Sequence, residues 1–367
     1  MNILLLGEYS NVHATLAKGL RLLGHNVMVA SNGDFWKNYP RDIDLSRSEG
    51  AFGGIKLMLK LLKVLPKMKN YDIVQFINPM FLELKAERIN LIYKWLRRKN
   101  NKKFVLGAFG MDYYWVKTCC EDMPLRYSDF NIGSKLRTNA DAIKEKKDWI
   151  GTEKQRLNEL IAHDADAIVA GLYEYYVCYH PVFPEKTTFI PYGIECKEPK
   201  DTSTSSKLRL FIGINKTRSE YKGTDIMLAA AKDIEAKYPD KVELKIAESV
   251  PFAEYKEMMN GSDAILDQLY SYTPSMNPLQ AMSQGLICIG GGEPENYEIL
   301  NETELKPIIN VLPNYDSVFH ELEQLVLHPE RISELKRQSI AYVRKHHDMM
   351  KVAKQYEMLY KELLKEQ

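Results

Sequence analysis

The fold is decided by the opening stretch NILLLGEYSNVHATLAKGLRLLGHNVMVA, residues 2–30. Residues 3–6 are an unbroken apolar run, followed by the polar turn Gly7-Glu8-Tyr9-Ser10-Asn11. Val12, Leu16, Leu20 and Leu23 then recur at helical spacing, Gly24-His25-Asn26 stops the helix, and residues 27–30 form a second apolar run. A strand that is apolar on both faces must be covered on both faces, which points to a βαβ unit in a parallel sheet. The rhythm continues with apolar runs at 73–77, 104–106, 167–169 and 188–190, separated by helical patterns near 83–98, 153–163 and 172–180.

Residues 195–207, ECKEPKDTSTSSK, are polar and short-chained, as an inter-domain linker would be. Strand and helix then alternate again, with apolar runs at 208–212, 242–246, 264–266, 286–289 and 308–311. A helical pattern covers about 223–237, and helical periodicity is continuous after 316. A length of 367 residues suits two domains. The expected fold class is α/β, with two doubly wound, Rossmann-like domains at 1–198 and 207–348 joined by a linker at 199–206. Ligands should then bind at the carboxyl ends of the strands.

Composition narrows the function classes. The chain is 45% hydrophobic and 27% charged, enough apolar material for two cores and unlike a disordered chain. A total of 50 Lys and Arg against 49 Asp and Glu leaves a net charge of +1, which argues against a nucleic-acid binder. No apolar run approaches the roughly 18–20 residues that span a bilayer. The start, MNILLLG, has neither the positive leader nor the cleavage site of a signal peptide. The 5 cysteines contain no CxxC pair and fit a reducing compartment, so a cytoplasmic location is expected.

Three strand-to-helix turns carry candidate chemistry. The first, Gly7 to His13, lacks the spaced glycines of a dinucleotide fingerprint. It is read either as a plain loop or as a loop in which Asn11 and His13 touch a substrate. The second, GINKTRSEYKG at 213–223, gathers Lys216, Arg218 and Lys222 where a helix begins. Cations there oppose the helix dipole, so they suggest an anionic ligand; a solvated basic loop is the alternative. The third, DQLYSYTPSMNPLQAMSQG at 267–285, leads from a strand into a helix that Asn277 and Pro278 should start. That leaves the amides of Ser275, Met276 and Asn277 for a diphosphate. Past the next strand, Gly290-Gly291-Gly292 allows close backbone approach to a ligand before Glu293-Pro294-Glu295.

These segments resemble the GT-B glycosyltransferases of the large retaining group called glycosyltransferase family 4. The stretch NILLLGEYSNVHATLAKGLRLLGHNV is similar to that family's opening strand and acceptor loop, and IPYGIE (190–195) to its Pro-x-Gly turn. YKGTDIMLAAA is similar to its Lys-Gly phosphate motif, and NPLQAMSQGLICIGGGEPE to its helix, strand and Gly-Gly-x-Pro-Glu turn. The resemblance covers nearly the whole chain. It implies two domains facing across a cleft, with a carboxyl-terminal helix at 349–367 returning to the first. It also implies retention of anomeric configuration, no cofactor and no obligatory metal. Donor contacts fall to Gly213, Arg218, Lys222, Ser275, Met276, Asn277, Gln280 and Glu295. Acceptor contacts fall to Gly7, Asn11, His13, Gly110 and Asp112. The catalytic candidates are His13, Asp112, Arg218 and Lys222.

The chain departs from the family at several positions. Tyr272 and Gln280 stand where the family has two Glu residues, the first near the donor sugar and the second on the ribose. Gln280 can still bond a ribose diol, without charge assistance. Ser275 replaces a loop glycine, and Phe109 replaces the His of His-Gly-x-Asp.

Other clusters have plainer readings. His346, His347 and Asp348 look like metal ligands, but neighbouring helical residues point about 100° apart, so they are assigned to the carboxyl-terminal helix. Cys119 and Cys120 lack a partnering His or acid and are read as small buried hydrophobes. Within residues 55–69, Lys56, Lys60, Lys63 and Lys67 form one helical stripe, with Ile55, Met58, Leu59, Leu62 and Leu65 opposite. That helix either packs its apolar face on the sheet with a solvated lysine edge, or lies at a membrane with its lysines on anionic headgroups.

The expected activity is transfer of a sugar from a nucleotide-diphosphate donor to a hydroxyl of a glycan or lipid-linked glycan. The expected setting is bacterial surface polysaccharide synthesis at the inner face of the membrane. The alternatives are a nucleotide-sugar epimerase of the same two-lobed fold and an inactive sugar-nucleotide-binding protein, the latter suggested by Tyr272, Gln280 and Phe109.

Overall fold

The computed structural model describes residues 1–196 and 207–365, so the linker expected at 199–206 lies outside the described residues. The chain divides into two compact units. One comprises Met1–Thr118, Glu145–Gly193 and Met349–Gln367, and the other Cys119–Lys144 and Ile194–Asp348.

The first unit is built on a parallel sheet of 7 strands in the order Ile43–Asp44, Asn26–Ser31, Asn2–Leu6, Ile73–Phe76, Lys103–Ala108, Ala167–Ala170, Thr187–Phe189. Ile3, Leu4, Leu5 and Leu6 are buried, as an apolar run covered on both faces requires. The strand order reverses between Asn2–Leu6 and Ile73–Phe76, the place where such sheets open for ligands. Gly7 turns the chain there at φ +84, and a Cβ on it would lie 2.3 Å from Ile77 Cγ2. Only glycine fits that turn. The last helix, Met349–Lys365, lies against the first, Val12–Leu22, where a Cβ on Gly19 would come within 2.7 Å of the Ala353 Cβ.

The second unit has a parallel sheet of 5 strands in the order Val242–Glu248, Leu208–Ile214, Ala264–Leu266, Ile287–Gly290, Ile309–Asn310. Its core joins Leu210, Ile212, Leu266 and Ile289 to Met227, Ala230 and Ile234 of the helix Thr224–Lys237. The order reverses between Leu208–Ile214 and Ala264–Leu266, which places the 213–223 and 267–275 loops side by side.

Several expectations change. Residues 119–144, read as first-domain sequence, group with the second unit and carry a small antiparallel hairpin, Asn131–Ile132 with Lys135–Leu136. The helical tail is three helices, Tyr315–Leu327, Glu330–His346 and Met349–Lys365, so His346 and His347 end the second and do not belong to the last. His346 Nε2 lies 2.5 Å from Glu302. Burial pushes the Glu302 carboxyl up, but hydrogen bonds from His346 and Lys345 outweigh it and hold it well below the usual carboxylate range. Among the described residues, no group of three or more His, Cys, Asp and Glu could hold a metal ion. Cys119 and Cys120 are buried.

The helix Gly53–Val64 is turned from the expected packing. It buries Leu57 and Leu61 and leaves Ile55, Leu59 and Leu62 exposed, because the stretch is apolar on two faces and only one of them is covered. No described helix is long and apolar enough to cross a membrane.

Candidate functional site

In the first unit, the loop after the first strand carries Gly7, Asn11 and His13. Asn11 is half-buried in a left-handed backbone, φ +73, just before the helix. His13 is fully buried, with Nδ1 2.8 Å from the Gly7 carbonyl and Nε2 3.1 Å from the Gln75 amide nitrogen. Gln75 in turn accepts the Tyr360 hydroxyl at 2.7 Å. Burial lowers the imidazole to about 4, so it is neutral at pH 7. In this arrangement His13 links the helix to the core and is not open to a substrate.

Asp112 is likewise buried. Its carboxylate accepts the Trp115 N–H at 2.9 Å and the Tyr179 hydroxyl at 2.7 Å, and burial raises it to about 7 against those bonds. It anchors the start of the helix Tyr113–Cys120. Gly110 backs onto Tyr9, whose ring would lie 3.2 Å from an added Cβ. Phe109 meets the His13 ring edge-on at 6.3 Å.

The second unit gathers more charge. After its first strand, Lys216–Arg218 forms a 3-10 turn and Ser219–Lys222 one helical turn, before Gly223, φ +74, opens the helix Thr224–Lys237. The Leu269 N–H donates to the Lys222 carbonyl at 3.0 Å, and a Cβ on Gly223 would lie 2.9 Å from Leu269. The loops after the first and third strands are thereby tied together. Burial raises the Asp267 carboxyl to about 6 against the pull of Lys222. Arg218 lies 4.8 Å over the Tyr221 ring, while Lys216 pairs with Glu248 at 3.2 Å on the surface.

The following helix, Met276–Ser283, is capped by Ser275, not by Asn277 as expected, and Pro278 falls inside its first turn. Pro278 has no N–H and Leu279 already donates to the Ser275 carbonyl at 3.1 Å. Helix geometry leaves the amides of Ser275, Met276 and Asn277 without an acceptor inside the helix. Asn277 is exposed and donates to the Tyr255 hydroxyl at 2.8 Å, and glycine at 213 makes room for that Tyr255 ring. Gln280 is half-buried and donates to Ser283 at 3.1 Å. The glycine run serves the protein's own packing: a Cβ on Gly291 would lie 2.1 Å from the Ser271 carbonyl oxygen.

Residues 119–144 supply what the sequence did not reveal. The Arg126 N–H donates to the Tyr272 hydroxyl at 2.6 Å. Its guanidinium donates to Glu295 at 2.6 Å and Glu293 at 2.7 Å, and lies 4.9 Å over the Tyr272 ring. The bond from Arg126 holds the Glu295 carboxyl below its ordinary value. The Tyr127 hydroxyl donates to Glu293 at 2.5 Å. Arg137 donates to the carbonyls of Tyr221 at 2.9 Å and Glu220 at 2.8 Å, with its guanidinium 3.4 Å from the Tyr270 ring centroid. Burial raises the Asp129 carboxyl, opposed by Tyr221, Arg218, Arg137 and Lys222. Tyr272 is buried, and Glu293 and Glu295 bring carboxylates near it through Arg126 and Tyr127. The available signal was Glu293 itself, an acid at the variable position of the Gly-Gly-x-Pro-Glu turn.

Cations and helix amides at a switch point can hold an anion, and neighbouring carboxylates can accept hydroxyls. No family model and no curated protein matches the chain. Among solved structures it is similar to Anabaena Alr3699/HepE in complex with UDP and glucose, with a TM-score of 0.61 and 13% identity over 98% of this chain and 99% of that one. It is similar to a sucrose-phosphate synthase from Thermosynechococcus elongatus, with a TM-score of 0.65 and 13% identity over 100% of both chains. It is also similar to a glycosyltransferase from Rickettsia africae, with a TM-score of 0.56 and 14% identity over 100% of this chain and 98% of that one. Likeness at this level of identity shows the fold, and the fold is GT-B.

Proposed function

We propose that the chain is a glycosyltransferase, close to family 4, that moves a sugar from a nucleotide-diphosphate donor to a hydroxyl of a glycan or lipid-linked glycan. We take the reaction to be retaining and to serve bacterial surface polysaccharide synthesis at the inner face of the membrane. The reading rests on the junction in the second unit where Lys222, Arg218 and the first turn of Met276–Ser283 lie on loops at the switch point of one sheet. The likeness to a protein crystallised with UDP and glucose supports it.

In this reading Lys222, Arg218 and the amides of Ser275, Met276 and Asn277 hold the diphosphate. Gln280 takes the ribose diol, and Glu295 meets the donor sugar or the nucleotide. As the sugar leaves, negative charge builds on the diphosphate, and cations already in place stabilise it without reorganising. The acceptor belongs to the first unit, at the loop of Gly7, Asn11 and Gly110. The nucleotide sugar is a substrate, and no resident cofactor or metal enters the scheme.

The test is incubation with a panel of nucleotide sugars, with and without acceptors. A rise in melting temperature with one donor and acceptor-dependent nucleotide release supports the reading. Epimerised sugar without an acceptor would replace it with an epimerase. Binding without turnover is a second reading favoured by one observation: the Tyr272 hydroxyl, at the family's acidic position, is bonded to the Arg126 backbone.

A further inference from the structure

On the helix Gly53–Val64, Leu57 and Leu61 are buried, and Leu65 of the next turn continues that face. The opposite face is not polar. Phe52 is 69% exposed, Ile55 56%, Leu59 56% and Leu62 61%. At about 100° per residue Ile55, Leu59 and Leu62 fall within an arc of roughly 60°, and Phe52 precedes them at the N-cap. Lys56 and Lys63 occupy the adjoining arc, Lys67 lies in the turn that follows the helix, and all three are exposed. Lys60 is different: it bonds Asp44 at 2.7 Å and is used by the fold. No Asp or Glu occurs from residue 51 to residue 71.

Four large apolar side chains exposed together are costly in water, and lysines with no acid among residues 51–71 lie beside them. An anionic lipid surface answers both, with acyl chains for the strip and headgroups for the lysines. We propose that Phe52, Ile55, Leu59 and Leu62 insert into an anionic bilayer surface, the helix lying in its plane and Lys56, Lys63 and Lys67 meeting the headgroups. This surface belongs to the first unit and uses no residue of the donor loops, so the proposal stands whether or not the chain transfers sugars.

The experiment is co-sedimentation of the full chain with vesicles of phosphatidylcholine alone and of phosphatidylcholine mixed with phosphatidylglycerol. Binding should require phosphatidylglycerol and weaken as salt rises. Changing Lys56, Lys63 and Lys67 together to Gln should weaken binding roughly 100-fold, whereas Lys60→Gln should change it little. The triple variant Ile55→Ser, Leu59→Ser, Leu62→Ser should abolish binding with no loss of melting temperature, since all three side chains already face water. A Leu59→Trp variant should shift its fluorescence to the blue only with the anionic vesicles. Absence of binding to the mixed vesicles, or full binding by the serine variant, overturns the proposal. So does a self-associated chain that the serine variant dissociates, which would make the strip a protein interface.

Discussion

The hydroxyl of Tyr272 accepts the backbone N–H of Arg126 at 2.6 Å, across a sequence separation of 146 residues. That bond fixes one end of residues 119–144 to the loop after the third strand of the second unit. Glu293 and Glu295 fix the Arg126 side chain to the next loop along. Three segments distant in sequence thus meet at one charged cluster.

Glu293 should matter more to stability than Glu295. The Glu293 side chain is 6% exposed and accepts the buried Tyr127 hydroxyl, whereas Glu295 is 20% exposed and bonds only the half-exposed Arg126 among the contacts described. Glu293→Ala should lower the unfolding free energy by about 1–3 kcal/mol through the stranded hydroxyl. Glu295→Ala should lower it by less than about 1 kcal/mol. Urea titrations of both variants check the order, and equal losses would refute it.

At the phosphate loop, Lys222→Ala should reduce donor-dependent kcat/KM about 10- to 150-fold, the range for one charge-assisted hydrogen bond. Lys222→Arg should restore only part of that, because a planar fork does not replace a point charge. Lys216→Ala should do little, since Lys216 already pairs with Glu248 on the surface. Equal losses at 216 and 222 would mean a diffuse basic surface.

Stability should fall between about pH 7 and 8 because of Glu8. Burial raises this carboxyl from 4.5 to about 8, although it accepts the His13 and Ala14 amides. In that window the unfolded chain has lost the proton and the folded chain keeps it, so rising pH favours unfolding. His13, lowered from 6.5 to about 4, has the opposite sign and acts only below about 6.5. Asp112, raised to about 7, has the same sign as Glu8 and adds to the slope at the lower end of this window, whereas Asp267, raised to about 6, is largely ionised by then. Glu8→Gln should flatten the slope, by at most about 1.4 kcal/mol per pH unit. Denaturant midpoints at the two pH values provide the measurement.

Arg137→Ala should loosen the hairpin before it loosens the sheet. The substitution removes bonds to the carbonyls of Asp129, Tyr221 and Glu220 and the stack on Tyr270. Hydrogen exchange at the Ser128 and Arg137 amides, both bonded within this segment, should quicken about 10-fold or more while the core strands keep their protection. Lys at 137 should not rescue it, lacking the fork that reaches these carbonyls.

The two parallel sheets were legible because unbroken apolar runs such as residues 3–6 have only one way to be covered. The glycine at 223 was legible as a helix start for the same local reason. The edge strand Ile43–Asp44 was not, since two residues carry no period. The buried face of Gly53–Val64 was ambiguous because Leu57 and Leu61 compete with an equally apolar strip beside them. Residues 119–144 were beyond reach for a different reason. Their allegiance is set by Arg126, Tyr127 and Arg137 finding partners more than 80 residues away, and no local pattern encodes a destination.

The placement of residues 119–144 also sets a schedule for synthesis. They leave the ribosome well before the rest of their own unit, and Tyr127 must wait for Glu293, 166 residues later. At roughly 5–20 residues per second that delay is roughly 8–30 s. Throughout it, Leu125, Tyr127 and Phe130, all buried in the finished protein, are without their native surroundings. Substitutions in this segment will therefore show first as lower soluble yield from a cell, even where the purified survivors unfold at the same denaturant concentration.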